Sequence, residues 1–389
     1  MFIRRKIANL IRSGAEQVPV VAVIGPRQSG KSTLVKELFS DYVYLDMQDD
    51  DLYNFANTDP KGFLNSYSDA KGVIIDEAQY APKLFSQIKV EVDKDPRPGR
   101  YILSGSQNFL LHEKISESLA GRVYFYKLLP FSIAELKEVN LLLERIEDQI
   151  CKGFYPRVYQ PRIQAQEYYE NYVLTYVERD IRTIKNIDNI LTFQKFMQLC
   201  ALRIGTPLNM TDIATNCGIS VATARSWLAL LETSFVLFLL PSYHENLGKR
   251  VTKSPKLYFY DVGLAAALIG INRDTLIKKR DLFGSLFENM VIVDLMKQFY
   301  ARGIHHTLTF FRDTNQNEID LIIETGGKTI PVEIKASETM HSNFFDTALW
   351  FQEQARDVAE PVVVYGGMQN QQRSKGKVIP WKQLDMLIE

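Results

Sequence analysis

The chain has few cysteines, only short apolar runs and no net charge, and each shortage excludes a class of protein. Its three cysteines, Cys151, Cys200 and Cys217, are odd in number and lack metal-like spacing. They exclude a disulfide framework and read as small buried groups in a reducing, cytoplasmic setting. Apolar runs stay short, FVLFLL at Phe235–Leu240 being among the longest, whereas a membrane helix needs about 20 apolar residues, so no membrane partner is expected. Basic and acidic residues number 46 each. No global basic field therefore draws the chain to nucleic acid, and any such contact must rest on a local patch. The opening MFIRRKIANLIRSG is basic and apolar without a continuous hydrophobic core or cleavage site; it reads as an amphipathic lead-in helix rather than a secretion signal.

What is present begins with VVAVIGPRQSGKSTLV. Gly25, Pro26, Arg27, Gln28, Ser29, Gly30, Lys31 and Ser32, followed by Thr33, fit the phosphate-binding pattern G-x-x-x-x-G-K-[ST] between a β-branched strand and an amphipathic helix. The glycines let backbone N–H groups turn in around a phosphate at a helix N-terminus. Lys31 is expected to grip the β- and γ-phosphates and Ser32 to offer its hydroxyl to Mg²⁺. GVIIDEAQ ends an apolar strand in Asp76 and Glu77. Standing alone they would be two solvated acids, but behind a phosphate loop Asp76 suits Mg²⁺ and Glu77 suits activation of the attacking water. A third strand, YILSGSQ, offers Ser104 or Ser106 as a γ-phosphate sensor. Arg122 follows, and either meets a γ-phosphate, in cis or across a subunit boundary, or is simply structural. With YVYLD and RVYFYKL, five short apolar strands alternate with helices and predict an α/β, doubly wound parallel sheet. No Asn-Lys-x-Asp tetrad follows, which favours ATP over GTP.

From Phe131 the pattern turns helical, with aromatic residues at helical spacing that read as a packing stripe and a charged group at Glu178, Arg179 and Asp180. MTDIATNCG and SVATARSWLALLETS, the latter capped by Ser220, have helix-turn-helix syntax. FVLFLLPSY and KLYFYD then read as strands flanking a basic wing that carries Lys249, Arg250, Lys253 and Lys256. Arg225, Lys249, Arg250 and Lys253 are the candidate DNA contacts, although winged helices also serve as packing modules. Farther on, a helix expected to be amphipathic carries Glu288, and the strands TLTFFRD, NEIDLIIE and KTIPVEIKA bring Asp320, Glu333 and Lys335. Glu333 and Lys335, two apart, share a strand face. Two carboxylates with a lysine suit a divalent metal, held by Asp320 and Glu333, and phosphodiester chemistry; the alternative is an ordinary charged sheet face. EPVVVYGG supplies a further strand.

Taken in order, GPRQSGKSTL, IIDEAQ, ILSGSQ, SLAGR, YVERDI, SPKLYFYDVGL, LFENMV, FFRDTNQNEIDLII and VEIKAS resemble prokaryotic ATPases that join an AAA-type P-loop domain to DUF4143. The resemblance implies a P-loop ATPase core at 1–130, a helical lid at 131–190, a winged helix at 191–262 and, at 263–389, an α/β domain similar to PD-(D/E)xK restriction endonucleases. It implies ATP and Mg²⁺ as cofactors and carries the nuclease pattern to Glu288, Asp320, Glu333 and Lys335. The expected function is a Mg²⁺-dependent ATPase acting on DNA, with homo-oligomerisation open. The alternatives are a switch whose tail clamps DNA or protein without cleaving it, and a regulator of a protein partner.

Overall fold

A computed structural model describes residues 2–106, 115, 117–177, 189–243, 254–313, 315, 317–355 and 357–388. They form two compact units, one from the amino terminus to Phe131 together with Thr233–Phe235 and Tyr300–Arg302, the other comprising the remainder.

The first unit is built on β1 (Val20–Ile24), β2 (Val43–Asp46), β3 (Val73–Asp76), β4 (Tyr101–Gly105) and β5 (Val123–Lys127). Their order is β2-β3-β4-β1-β5 and every neighbouring pair is parallel. A parallel sheet covered on both faces needs strands that are apolar on both faces, and β1, β3 and β4 are buried along their whole length. All five strands expected from the sequence are present. The lead-in helix α1 (Ala8–Ala15) buries Ala8, Ile11 and Ala15 in the same core as Val21 and Val23 of β1 and Leu34 and Val35 of α2 (Lys31–Leu38). In α3 (Lys83–Lys94), Leu84, Phe85, Ile88 and Val92 recur at helical spacing and are buried, while the opposite face is charged.

The second unit opens with short helices at Ile133–Glu138, Ile146–Lys152 and Ala165–Tyr172. Tyr155, Tyr168, Tyr169 and Tyr172 pack with ring centroids 5.0 to 6.0 Å apart, so the aromatic spacing there is a packing stripe. The charged group Glu178–Asp180 lies outside the described residues. Next come α4 (Ile190–Ala201), α5 (Met210–Cys217) and α6 (Val221–Thr233). Gly218, at φ 69°, ends α5, and the Ser220 hydroxyl accepts the Thr223 amide at 3.0 Å to start α6. An antiparallel ribbon of β6 (Leu237–Leu240) and β7 (Lys256–Phe259) follows. Lys249, Arg250 and Lys253, between these strands, lie outside the described residues.

The carboxyl-terminal sheet holds β8 (Thr307–Arg312), β9 (Glu318–Thr325), β10 (Lys328–Lys335), β11 (Val362–Tyr365), β12 (Gln371–Arg373) and β13 (Gly376–Pro380), in the order β12-β13-β11-β10-β9-β8. The β10–β11 and β11–β13 pairs are parallel and the others antiparallel. The ribbon is sewn to this sheet, because Phe310 of β8 exchanges backbone bonds with the segment leaving β6 (Phe310 N–H to Pro241 O, 3.1 Å; Tyr243 N–H to Phe310 O, 2.6 Å).

Helix α7 (Arg280–Arg302) corrects the expectation of an amphipathic helix. From Leu286 to Phe299 every residue but Glu288 is buried. Its polar residues are satisfied inside the unit. Asn289 accepts from the Phe259 amide (2.7 Å) and donates to the Phe259 carbonyl (2.8 Å), while Asp294 accepts from the Ile133 amide (2.6 Å).

Asp261 joins three parts of the second unit. It is buried, caps helix Val262–Leu268 through the Leu264 amide (3.0 Å), accepts the Phe154 amide (2.8 Å) and bonds the Tyr169 hydroxyl. Asp261→Ala would strand these donors, and we expect a loss of about 3 kcal/mol or more in urea unfolding, with Asp261→Asn losing less. Equal losses in the two variants would assign the effect to charge instead.

Candidate functional site

The phosphate loop stands at the carboxyl edge of the parallel sheet, between β1 and α2. A Cβ at Gly25 would collide with the Leu128 carbonyl, and Gly30 stands at φ 96°. The Lys31 ammonium, 5% exposed, donates to the carbonyls of Gly25 (3.0 Å) and Pro26 (2.8 Å) and so folds back over the loop it follows. Arg27 approaches the Tyr80 hydroxyl at 3.5 Å, Gln28 adopts a positive φ of 60°, and Thr33 is exposed on α2. The Ser29 hydroxyl is buried without a hydrogen-bond partner. An unpaired donor inside a loop of inward-turning amides fits an oxyanion ligand.

Asp76 and Glu77 leave β3 beside that loop and are held differently. Asp76 receives hydrogen bonds from the hydroxyls of Ser104, Ser32 and Tyr44 (2.5 Å for Tyr44) and from the Glu77 amide (3.0 Å). Burial alone would raise its carboxyl, but these donors outweigh it and hold the group below the ordinary carboxylate range. Burial and the Asp76 charge push the Tyr44 phenol well up, so it stays a donor. Glu77 adopts a left-handed backbone, φ 49° and ψ 43°. That conformation costs a non-glycine residue about 1–3 kcal/mol and persists where surroundings fix it. Gln79 and Ser106 do so: both donate to Glu77 Oε2, Ser106 at 3.1 Å. Ser104 is thus placed on Asp76 and Ser106 on Glu77.

Arg122 requires a correction. It precedes β5, where Val123 pairs with Val20 at the amino end of β1, whereas the phosphate loop leaves β1 beyond Ile24. Five residues of strand put it about 16 Å away. Contact with a phosphate in cis is excluded, and the side chain pairs with Asp93 at 2.5 Å. Three contributors escaped the sequence reading. Arg5, 6% exposed, donates to the carbonyls of Ser29 (2.9 Å) and Leu129 (2.6 Å), while Tyr44 and Gln79 steady the two acids. Only Gln79, inside the quoted DEAQ, carried a local signal.

The carboxyl-terminal constellation divides in two. Lys335 Nζ lies 3.0 Å from Asp320 Oδ2 and 2.7 Å from Glu333 Oε2, and Asp320 also accepts the Ile334 amide at 2.8 Å. Glu288, on α7, is bound instead to Lys256 (3.1 Å) and Tyr258. Among the described residues no group of three or more His, Cys, Asp or Glu side chains forms a metal cage. One buried oxygen of Glu333, Oε1, has no partner. Lys256 was expected on the basic wing; it is 1% exposed and unavailable to a phosphate. Arg225 is exposed on α6.

Burial would raise Asp320, but Lys335, Lys256 and the Ile334 amide bring it below the ordinary range. Glu333 is pushed up by burial and by Asp320, an effect that Lys335 only partly offsets. Burial and Asp320 raise Glu288 in the same way.

Parallel strands in the order β2-β3-β4-β1-β5, a phosphate loop after β1 and an acidic pair after β3 define a P-loop NTPase-type domain. Residues 17–137 match the family described as an AAA domain, residues 143–275 a domain of unknown function, DUF8612, and residues 283–384 another, DUF4143. Residues 17–137 are thus similar to an AAA-type P-loop domain and residues 283–384 to DUF4143, with the DUF8612 match between them. Uncharacterized proteins of Mycobacterium tuberculosis and Mycobacterium bovis are each 28% identical over 339 residues, 86% of this chain and 74% of theirs. Among solved structures, a Walker-type ATPase of Pyrococcus abyssi is similar at TM-score 0.46 and 16% identity, over 69% of this chain and 96% of that one. The RuvB Holliday junction branch migration motor of Thermotoga maritima is similar at TM-score 0.31 and 16% identity, over 64% of this chain and 93% of its own.

The Glu333 environment sets a pH dependence. Its folded carboxyl titrates above its unfolded value of 4.5. Its contribution to stability is therefore full below that value and is lost as pH rises through the folded pKa. Glu333→Gln stays neutral, so its melting temperature should gain on the wild type's between about pH 5 and about pH 9. Parallel curves would place the Glu333 charge in the unfolded range.

Proposed function

We propose that the chain is a Mg²⁺-dependent ATPase whose nucleotide state governs a DNA-contacting carboxyl-terminal region. The observation that carries it is Glu77, fixed in a strained backbone by Ser106 and Gln79 beside a buried, ionised Asp76 and a closed phosphate loop. Lys31 would exchange the Gly25 and Pro26 carbonyls for the β- and γ-phosphates, and the unpaired Ser29 hydroxyl adds a donor. Ser32 and Asp76 would hold Mg²⁺, which screens phosphate charge when bound. With Oε2 held by Gln79 and Ser106, the other oxygen of the Glu77 carboxylate orients the attacking water and accepts its proton. Arg122 serves a γ-phosphate only across a subunit boundary, which requires a homo-oligomer.

DNA as the ligand rests on Arg225 and on the basic run Lys249, Arg250 and Lys253 in an otherwise neutral chain. In the same unit, Asp320 and Glu333 would hold a divalent ion with Lys335 beside them. The partnerless Glu333 oxygen favours that over a purely structural ion pair. A regulator of a protein partner is the rival reading. ATP turnover measured with single-stranded, duplex and branched DNA separates them, since indifference to all three would leave the protein partner.

Lys31→Ala should weaken ATP binding, and Glu77→Gln should retain binding while turnover falls about 100-fold or more. Wild-type turnover in Glu77→Gln would remove the water-activating role. Replacing Lys249, Arg250 and Lys253 together by Ala should weaken binding to every DNA sequence and reduce the salt slope by about 0.9 per lost phosphate contact. An unchanged slope would assign the loop to packing.

A further inference from the structure

Lys256 belongs to no part of that machinery, yet among the described residues it is the most deeply buried cation of the second unit. Lysine and tyrosine stand two apart on β7, so both point to one face, and on that face lies Glu288. The ammonium is 3.1 Å from Glu288 Oε1 and 2.7 Å from Glu318 Oε1, and the Tyr258 hydroxyl donates to the same Glu288 oxygen. The ammonium also lies over the Phe310 ring, Nζ 5.2 Å from the centroid. One residue along α7, Asn289 takes both backbone groups of Phe259 and fixes the height of β7 against the helix. The lysine in direct contact with Asp320 and Glu333 is a different one, Lys335, although the Lys256 charge also acts on Asp320.

We propose that Lys256 is a resident counter-ion that occupies Glu288 and Glu318 in place of a divalent metal, withholding the helix carboxylate from any ion bound at Asp320 and Glu333. The proposal rests on the reading that those two residues accept such an ion. Two effects combine. The Glu288 oxygen that would turn to the metal already has two donors, and a fixed positive charge nearby repels a second cation in a site with little water to screen it. Strand β7 thereby sets the affinity of the carboxyl-terminal site, and the chain between β6 and β7 enters that strand three residues after its last basic residue, Lys253.

The test is calorimetric titration of the nucleotide-free full chain with Mn²⁺, with Asp320→Asn identifying the heat that belongs to this site. Lys256→Met should tighten Mn²⁺ binding about tenfold or more, the scale of removing one poorly screened charge. Lys256→Arg should behave as wild type. In the Glu288→Gln background the gain from Lys256→Met should shrink to the part that charge repulsion alone supplies. Affinity unchanged or weakened in Lys256→Met overturns the proposal alone. Absence of Mn²⁺ binding in wild type and variant alike overturns it together with the metal reading. Should Lys256→Met fail to fold, Lys256→Gln takes its place: tightened Mn²⁺ binding supports the proposal, and unchanged or weakened binding overturns it.

Discussion

A lysine ammonium taken out of water has to find opposite charge within a few ångströms, and the arrangement around Lys256 follows from that need. Its two carboxylates come from different elements, Glu288 from α7 and Glu318 from β9. Satisfying one buried charge therefore fixes a ribbon strand, a helix and a sheet strand together. Breaking such a group by removing one partner costs about 3–5 kcal/mol, because the remaining charge stays buried. The helix trio, its ribbon and the carboxyl-terminal sheet are thereby parts of one unit, although their sequences differ in character.

The first unit solves the same problem with neutral donors. Asp76 is 3% exposed, and its charge is answered by three hydroxyls and an amide. The parallel sheet makes this possible: β3 and β4 end side by side, so Ser104 on one strand reaches the acid that closes the other. Glu77 stands one residue farther, where the chain must turn, and its left-handed backbone aims the carboxylate toward Ser106 and Gln79. Strain and hydrogen bonding act jointly there, since neither alone would hold one orientation.

The parallel sheet and its phosphate loop were legible because period, motif and context agree locally: short apolar runs meet glycine or an acid at the carboxyl ends of β1, β2, β3 and β4. Long-range charge pairing has no such signal. Lys256 belongs to a run of basic residues and reads as solvated, and only the fold reveals that Glu288, 32 positions on, takes its charge. Helix α7 reads as amphipathic because Asn289, Asp294 and Gln298 are polar, yet Asn289 and Asp294 are matched by buried backbone groups from elsewhere, and Gln298 donates to Asp294 within the helix. Strands β12 and β13 escaped notice because QQR and GKVIP are short and lack alternation. For Arg122 only the cis alternative falls, because sequence order places it after the sensor strand while the direction of β5 carries it to the opposite edge of the sheet.

The bond between Asn289 and Phe259 has a consequence for association. A two-stranded ribbon ordinarily offers a free edge to which a foreign strand can add itself, whether a peptide ligand or a misfolded copy. On β7 that edge is consumed: the Gly205 amide donates to Leu257 O (3.0 Å), the Leu208 amide to Pro255 O (2.8 Å), and the Asn289 side chain holds both groups of Phe259. Strand addition along β7 would first have to displace a helix, so a partner approaching this ribbon is read through side chains rather than through its backbone.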